Sequence, residues 1–164
     1  MNEVIRFYLT NRKYGWMSNL YPAPILVEGR YYGSSEHYYQ AGTPKDPKIS
    51  IWIAIAPTPI LAMKAGRFIS RDRNKRNLDP EWESKKVPRM RVALRAKFRQ
   101  NPELREKLLN TGDAIIYEET RDRFWGTGKD GTGKNWHGVL LMETREWLRS
   151  GEYDALQILG YNLT

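Results

Sequence analysis

Two stretches of this 164-residue chain hold the side chains that could do chemistry. The first, Tyr32 to Ala41, sets a carboxylate, Glu36, beside an imidazole, His37, in the opening turn of an expected helix, among tyrosines. Gly33 breaks the extended run before it and Ser34 can cap the free amides. Glu36 then falls at the second helical position, where the helix field favours negative charge. That placement keeps Glu36 ionised. An ionised carboxylate suits a general base, a nucleophile or the partner of a developing cation better than a proton donor. The same residues also admit a purely structural reading, because acids offset helix dipoles and histidines commonly serve as hydrogen-bonded core groups.

The second stretch, Arg123 to Gly138, has four glycines in the eight positions from Gly126 to Gly133 and must be a loop. Gly128 to Lys134 approaches the phosphate-cradling pattern, but Asn135 stands where Ser or Thr would hold magnesium and no buried strand leads directly in. A nucleoside-triphosphate loop is therefore not expected. The weaker expectation is that loop amides, Lys129 or Lys134, and the N-terminus of the following helix meet a phosphate while Trp125 stacks on a base. Further back, Arg67 and Arg71 are four apart near the end of one helix and could grip phosphates from one face, or be plain surface charge.

Val4 to Leu9 is an expected strand, and the loop Trp16 to Pro24 is aromatic enough to pack down. Ile25 to Val27 and Arg30 to Tyr32 form two strands around a Glu28-Gly29 turn. Lys48 to Ala56 is apolar and leaves helix and strand both open. Thr58-Pro59 starts a helix to about Phe68 with Leu61, Ala65 and Phe68 on one face. Asp79 to Trp82 opens a helix to about Phe98, divided or kinked at Pro88, with Val87, Met90, Leu94 and Phe98 buried and Arg89, Arg95 and Arg99 outward. Asn101-Pro102 starts another, ending near Gly112. Ala114 to Tyr117 is a strand, and Asn135 caps a last helix with Leu140, Leu141, Thr144, Trp147 and Leu148 on its apolar face. The sum is one mostly helical α+β domain, 1–164, around a small sheet.

Composition bounds the function. At 40% hydrophobic and 28% charged residues the chain is an ordinary globular one. It has no apolar run of membrane-spanning length and no signal-peptide pattern at its start, so a cytoplasmic protein without membrane partners is expected. The absence of cysteine removes disulfides and thiolate chemistry, and His37 and His137 have no zinc-binding spacing, so neither metal nor cofactor is expected. Between Lys64 and Lys107 there are 15 basic and 6 acidic residues, so this segment carries the whole of the +8 net charge. Such a segment attracts phosphates of a nucleic acid, a nucleotide or a phosphosugar, or simply solvates a helix face.

The motifs Met17 to Ile25, Ser34 to Ala41, Gly66 to Arg73, Trp82-Glu83-Ser84, Ala93 to Phe98, Phe124-Trp125-Gly126 and Gly133-Lys134-Asn135 with Leu140-Leu141-Met142 resemble the NADAR, or YbiA-like, family from about Phe7 to Leu148. The resemblance implies an α+β N-glycosidase acting on ribosides. These would be phosphoribosyl-aminopyrimidine intermediates of riboflavin synthesis, or ADP-ribose attached to a base such as guanine in a small molecule or nucleic acid. It places the family's acid on Glu36 and its tryptophans on Trp82 and Trp125, with Asn19, His37 and Asn135 among the motif residues expected near substrate. One position departs. Many members resemble Trp-Gly-Asp where this chain has Trp125-Gly126-Thr127. Asp130 could substitute, Thr127 could position water or substrate, or the activity could be altered or reduced. The rival to an enzyme is a binding module for nucleic acid or ADP-ribosylated ligands.

Overall fold

The computed structural model describes residues 3–8 and 10–152. Its elements are β1 (Val4–Phe7), β2 (Ile25–Val27), β3 (Arg30–Tyr32), α1 (Ser35–Ala41), α2 (Pro47–Ala54), α3 (Pro59–Arg71), α4 (Trp82–Gln100), α5 (Pro102–Leu109), β4 (Ile115–Glu118) and α6 (Trp136–Ser150). This is the expected helix-rich α+β fold, with its strands gathered in two separate pairs, β1 with β4 and β2 with β3. Two compact units are formed, one from the chain's start to Ser18 together with Phe98 onward, the other from Asn19 to Lys97. Among the described residues no helix is long and apolar enough to cross a membrane.

In the first unit β1 runs parallel to β4, with Val4 opposite Ile115 and Phe7 opposite Glu118. The strand expected to reach Leu9 ends at Phe7, and Leu9 itself lies outside the described residues. Ile5, Phe7, Ile116, Leu140, Leu141 and Trp147 are buried in this unit's core. Helix α6 lies so close to β4 that a Cβ on Gly138 would fall 2.1 Å from the Ile116 carbonyl oxygen. Only glycine allows that approach.

In the second unit β2 and β3 form a hairpin whose two central residues, Glu28 and Gly29, both have positive φ (51° and 73°). This backbone twist matches that of the flanking strands. The hairpin hands the chain to α1, in which all seven residues are buried. Lys48 to Ala56, open to either reading in the sequence, is helical as far as Ala54, within α2: Asp46 accepts from the Lys48 N–H and Pro47 occupies the first turn.

Three expectations are corrected here. On α3 the buried residues are Ala62, Gly66 and Ile69, whereas Leu61 and Phe68 are exposed. A Cβ on Gly66 would lie 2.0 Å from Gln40 Oε1, so the small-residue stripe, not the bulky one, faces α1 because it permits closer approach. Helix α4 is not divided at Pro88 but continues through it. Burial of Trp82 on one side of Pro88 and of Met90 and Leu94 on the other stabilises the continuation. Arg89 on α4 does not face outward: its guanidinium lies 3.9 Å from the Tyr38 ring centre and its Nε donates to the Tyr38 carbonyl at 2.8 Å. The aromatic ring and the unused carbonyl at the end of α1 together draw it in.

Candidate active site

Glu36 is where the cap predicts it. Ser34 has extended backbone angles and its Oγ accepts the His37 N–H, which leaves Glu36 at the second position of α1, 7% exposed. Its own N–H donates to the Asn19 carbonyl at 3.2 Å, and its Oε1 accepts from Gln40 Nε2, one turn on, at 2.7 Å. Gln40 Oε1 accepts in turn from Thr43, and Gly66 leaves Gln40 its space. Asn19 braces the same turn, taking the Ser35 hydroxyl on Oδ1 (2.9 Å) and directing Nδ2 at the Met90 sulfur (2.8 Å). A buried carboxylate held from two directions is pre-organised to stabilise positive charge developing beside it.

His37 is a different matter. Its Nε2 lies 3.0 Å from the Ala56 carbonyl and must donate, so Nδ1 accepts from Ser34 Oγ at 2.8 Å. Both nitrogens are committed and burial lowers the imidazole pKa, partly opposed by the Ala56 bond. The ring is a neutral strut that ties α1 to the end of α2.

Trp82 is 4% exposed, packs on Tyr39 of α1 with ring centres 5.1 Å apart, and lines a cleft of about 350 Å³. Lys45, Lys75, Leu78 and Pro80 line it as well. Its two carboxylates, Asp79 and Glu83, are each paired with an α4 lysine, at 2.9 Å to Lys85 and 2.5 Å to Lys86. Glu36 is not among the lining residues. Arg67 and Arg71 sit on the solvent side of α3, both exposed.

One group in this unit was missed by sequence reasoning. Lys97, in the α4 motif, is wholly enclosed (0% exposed), and burial lowers its ammonium pKa to about 7. Its Nζ lies 5.7 Å from the Tyr21 ring centre. Its three- and four-residue spacing to Ala93 and Leu94 was the available signal, since both of those are fully buried.

The glycine-rich loop in the other unit closes on itself. The N–H groups of Thr127, Gly133, Lys134, Asn135, Trp136 and His137 donate to Glu118, Thr127, Arg123, Gly126, Phe124 and Trp125 carbonyls respectively, at 2.7–3.1 Å. The first two amides of α6, those of Trp136 and His137, are thereby taken by the loop's own carbonyls. Asn135 stands at the N-cap position in a left-handed conformation (φ 53°) and makes no cap bond with its side chain. Instead Oδ1 accepts the Glu118 N–H at 2.9 Å and Nδ2 donates to the Ile116 carbonyl at 2.8 Å, so it serves the loop as a buried clasp on β4.

Thr127 is buried and donates Oγ to the Glu118 carbonyl at 3.2 Å. Asp130 is exposed, bonded to Arg123 at 2.5 Å and to Thr132. The Arg123 hydrogen bond, foremost, holds its carboxyl ionised down to about 2. Lys129 is exposed, and Lys134 lies 5.6 Å over the Phe124 ring. Trp125 is half-buried, edge-to-face with Phe124 at 5.0 Å, its N–H held by Asp122. Behind the loop Glu118 pairs with buried His137 at 3.2 Å. Among the described residues no group of three or more metal-ligating side chains gathers.

Glu36, His37, Asn19, Trp82, Arg67 and Arg71 thus belong to one unit, and Trp125, Thr127, Lys129, Asp130, Lys134 and Asn135 to the other. Comparison with known proteins spans both. The family model of the NADAR domain matches residues 6–149. N-glycosidase YbiA of Escherichia coli is 46% identical over 148 residues, covering 90% of this chain and 89% of its own. An N-glycosidase of Nostoc punctiforme is 37% identical, covering 89% and 93%. A riboflavin biosynthesis protein of Vibrio vulnificus is 35% identical, covering 97% of this chain but 42% of that protein. The solution structure of E. coli YbiA superposes with a TM-score of 0.82 at 44% identity, over 93% of this chain and 89% of that one.

Proposed function

The chain belongs to the NADAR family and is a hydrolase of N-glycosyl bonds, and from that premise we propose that Glu36 drives release of a base from a phosphorylated ribose. The observation that carries this reading is the buried Glu36 carboxylate, fixed by Gln40 at 2.7 Å while Asn19 holds its backbone. N-glycosidic cleavage passes through an oxocarbenium-like sugar. The C1′–N bond breaks with its electron pair leaving on the base, water adds its oxygen to C1′, and the water's proton passes through the Glu36 carboxylate towards the base. Glu36 offsets the sugar's charge and takes that proton.

The substrate classes are ADP-ribose joined to a nucleobase, guanine foremost, or a phosphoribosyl-aminopyrimidine. The naming of one relative for riboflavin biosynthesis supports the second. Cations that make no ion pair among the described residues support either. In the other unit, half-exposed Trp125 offers a flat ring to a base, and exposed Lys129 and Lys134 offer charge to a phosphate. Trp82 walls the cleft in which Lys45 and Lys75 offer two further cations. Arg67 and Arg71 present guanidinium groups to phosphate from the solvent side of α3.

The test is release of free base, followed by mass spectrometry, from a guanine-ADP-ribosylated oligonucleotide and separately from a phosphoribosyl-aminopyrimidine. Release from one substrate by the wild type and its loss in Glu36→Gln would support the assignment and choose the class. Undiminished release by folded Glu36→Gln would overturn it. The second reading, a binding module, is favoured by one observation: Thr127, bonded to the Glu118 carbonyl, stands where the family resemblance places an acid. Binding without release by the wild type would select that reading.

A further inference from the structure

The 25 residues from Pro47 to Arg71 contain no aspartate or glutamate. They fold into α2 and α3 with four cations, Lys48, Lys64, Arg67 and Arg71. None of the four side chains takes part in an ion pair among the described residues. The flanking acids are occupied elsewhere: Asp46 caps α2, and Asp72 holds the Asn74 N–H and pairs with Arg76.

Each helix turns an unusual stripe to solvent. On α2, Lys48, Ile51, Trp52 and the C-cap Ile55 recur at three- and four-residue intervals and so share a face. There Trp52 is 66% exposed and Ile55 69%. On α3, Ile60, Lys64, Arg67, Phe68 and Arg71 share another, and Phe68 is 80% exposed. Packing does not require these rings to stand in water, because α3 buries Ala62, Gly66 and Ile69 on its other side. Large apolar side chains exposed in stripes of this kind mark binding surface.

Charge decides the partner. A second copy of the chain, docking through the same stripes, would set cations against cations with no carboxylate between them. A lipid surface favours a continuous apolar face with the cations set apart, whereas on α3 lysine and arginine alternate with isoleucine and phenylalanine. Flat rings interleaved with cations are what a single nucleic-acid strand uses, its bases stacking and its phosphates pairing. We infer that the α2 and α3 stripes bind single-stranded nucleic acid, with Trp52 and Phe68 as stacking platforms and Lys48, Lys64, Arg67 and Arg71 on the phosphates. Duplex does not serve, since its bases are already stacked. This binding shares Arg67 and Arg71 with the phosphate contacts of the glycosidase reading, but it needs no modified base and no Glu36.

The test is fluorescence anisotropy of a labelled thymidine oligonucleotide with the full chain, over a salt series and against a duplex competitor. Trp52→Ala and Phe68→Ala are each expected to weaken binding by about fivefold or more. Both rings are exposed, so neither change opens a cavity, and the far-ultraviolet spectrum checks this. Lys64→Ala with Arg67→Ala is expected to flatten the log–log salt dependence by roughly 0.7 per lost phosphate contact. Glu36→Gln is expected to bind as the wild type does, so failure of the catalytic assignment leaves this result standing. Absence of binding at low salt, or binding that neither aromatic substitution weakens, overturns the inference. So does Trp52-dependent self-association seen by light scattering, or Trp52-dependent binding to anionic vesicles, without oligonucleotide binding.

Discussion

Helices α1 and α6 both follow a glycine and a residue suited to capping, yet their first turns are completed in opposite ways. Ser34 caps α1 with its side chain. The turn is closed by one hydroxyl and the Asn19 backbone, and Glu36 is left inside as a buried carboxylate whose Oε1 accepts from the Gln40 amide. Asn135 has the residue type but lies in the left-handed region, and the first turn of α6 is closed by carbonyls of its own loop. Charge is distributed in the same opposed way. The unit of α1 buries Glu36 and Lys97, whereas the loop carries Lys129, Asp130 and Lys134 in solvent. The first arrangement concentrates electrostatic effect on a small volume, and the second builds a frame that presents Trp125.

If that contrast is right, substitutions in the two regions should part along different axes. The largest effect expected is on rate: Glu36→Gln keeps the Gln40 contact and the volume, so the fold should survive while base release falls by about 10²–10⁴. A variant that instead unfolds would make Glu36 a structural acid and erase the contrast. In the loop the loss should fall on stability. Asn135→Ala leaves the buried Glu118 N–H and Ile116 carbonyl without partners, at about 2–4 kcal/mol in denaturant melts.

Lys97 extends the contrast to pH. Its folded pKa of about 7 lies below the ordinary 10.5, so between these values the unfolded chain holds a proton that the native one has released. Native stability from this group should therefore rise with pH from about 7 to 10.5, and be lost as pH falls back to 7. Lys97→Met should remove that slope and stabilise the protein at neutral pH by about 1–4 kcal/mol, as hydrophobic replacement of buried charge often does. Equal pH slopes in the two proteins would show that Lys97 stays charged through a compensating partner.

Much of the α1 side was legible because its signals are local. Gly33, Ser34 and Glu36 specify a cap and a first turn within four residues, and the Glu28-Gly29 hairpin is as short-range. What was not legible depends on tertiary distance. The buried face of α3 follows from Gly66 meeting Gln40, a contact no periodicity reveals, and the bulkier Leu61 and Phe68 pointed the other way. The loop misled for a similar reason. Its glycines suggested open amides, but the sequence does not state that Gly133 to His137 would donate those amides back to residues 123–127. Pro88 reads as a break only while the burial of Trp82, Met90 and Leu94 on α4 is unknown.

Gly66→Ala would place a methyl where Gln40 Oε1 now lies. The amide must swing away, Glu36 loses its 2.7 Å partner, and release should fall by about tenfold with the helix intact, the size of one hydrogen bond to a charged group. Adding Gln40→Ala should then cause little further loss, because both changes remove the same contact. Additive losses in that double variant would place the effect of Gly66 elsewhere in α3.

The smallest effect should be at Asp130, the residue best placed in sequence to replace the acid missing at Thr127. Its carboxyl is exposed and tied to Arg123 and Thr132. The Arg123 hydrogen bond holds it ionised down to about 2, so it has no proton to give at any pH where the protein would be assayed. Asp130→Asn should leave stability, base release and the acid limb of the pH–rate profile unchanged, since an exposed pair is screened by solvent. A loss of release rivalling that of Glu36→Gln would overturn this. It would mean that the Arg123 pair opens when substrate arrives and that the loop supplies a second acid, so that its role is chemical and not only to frame Trp125.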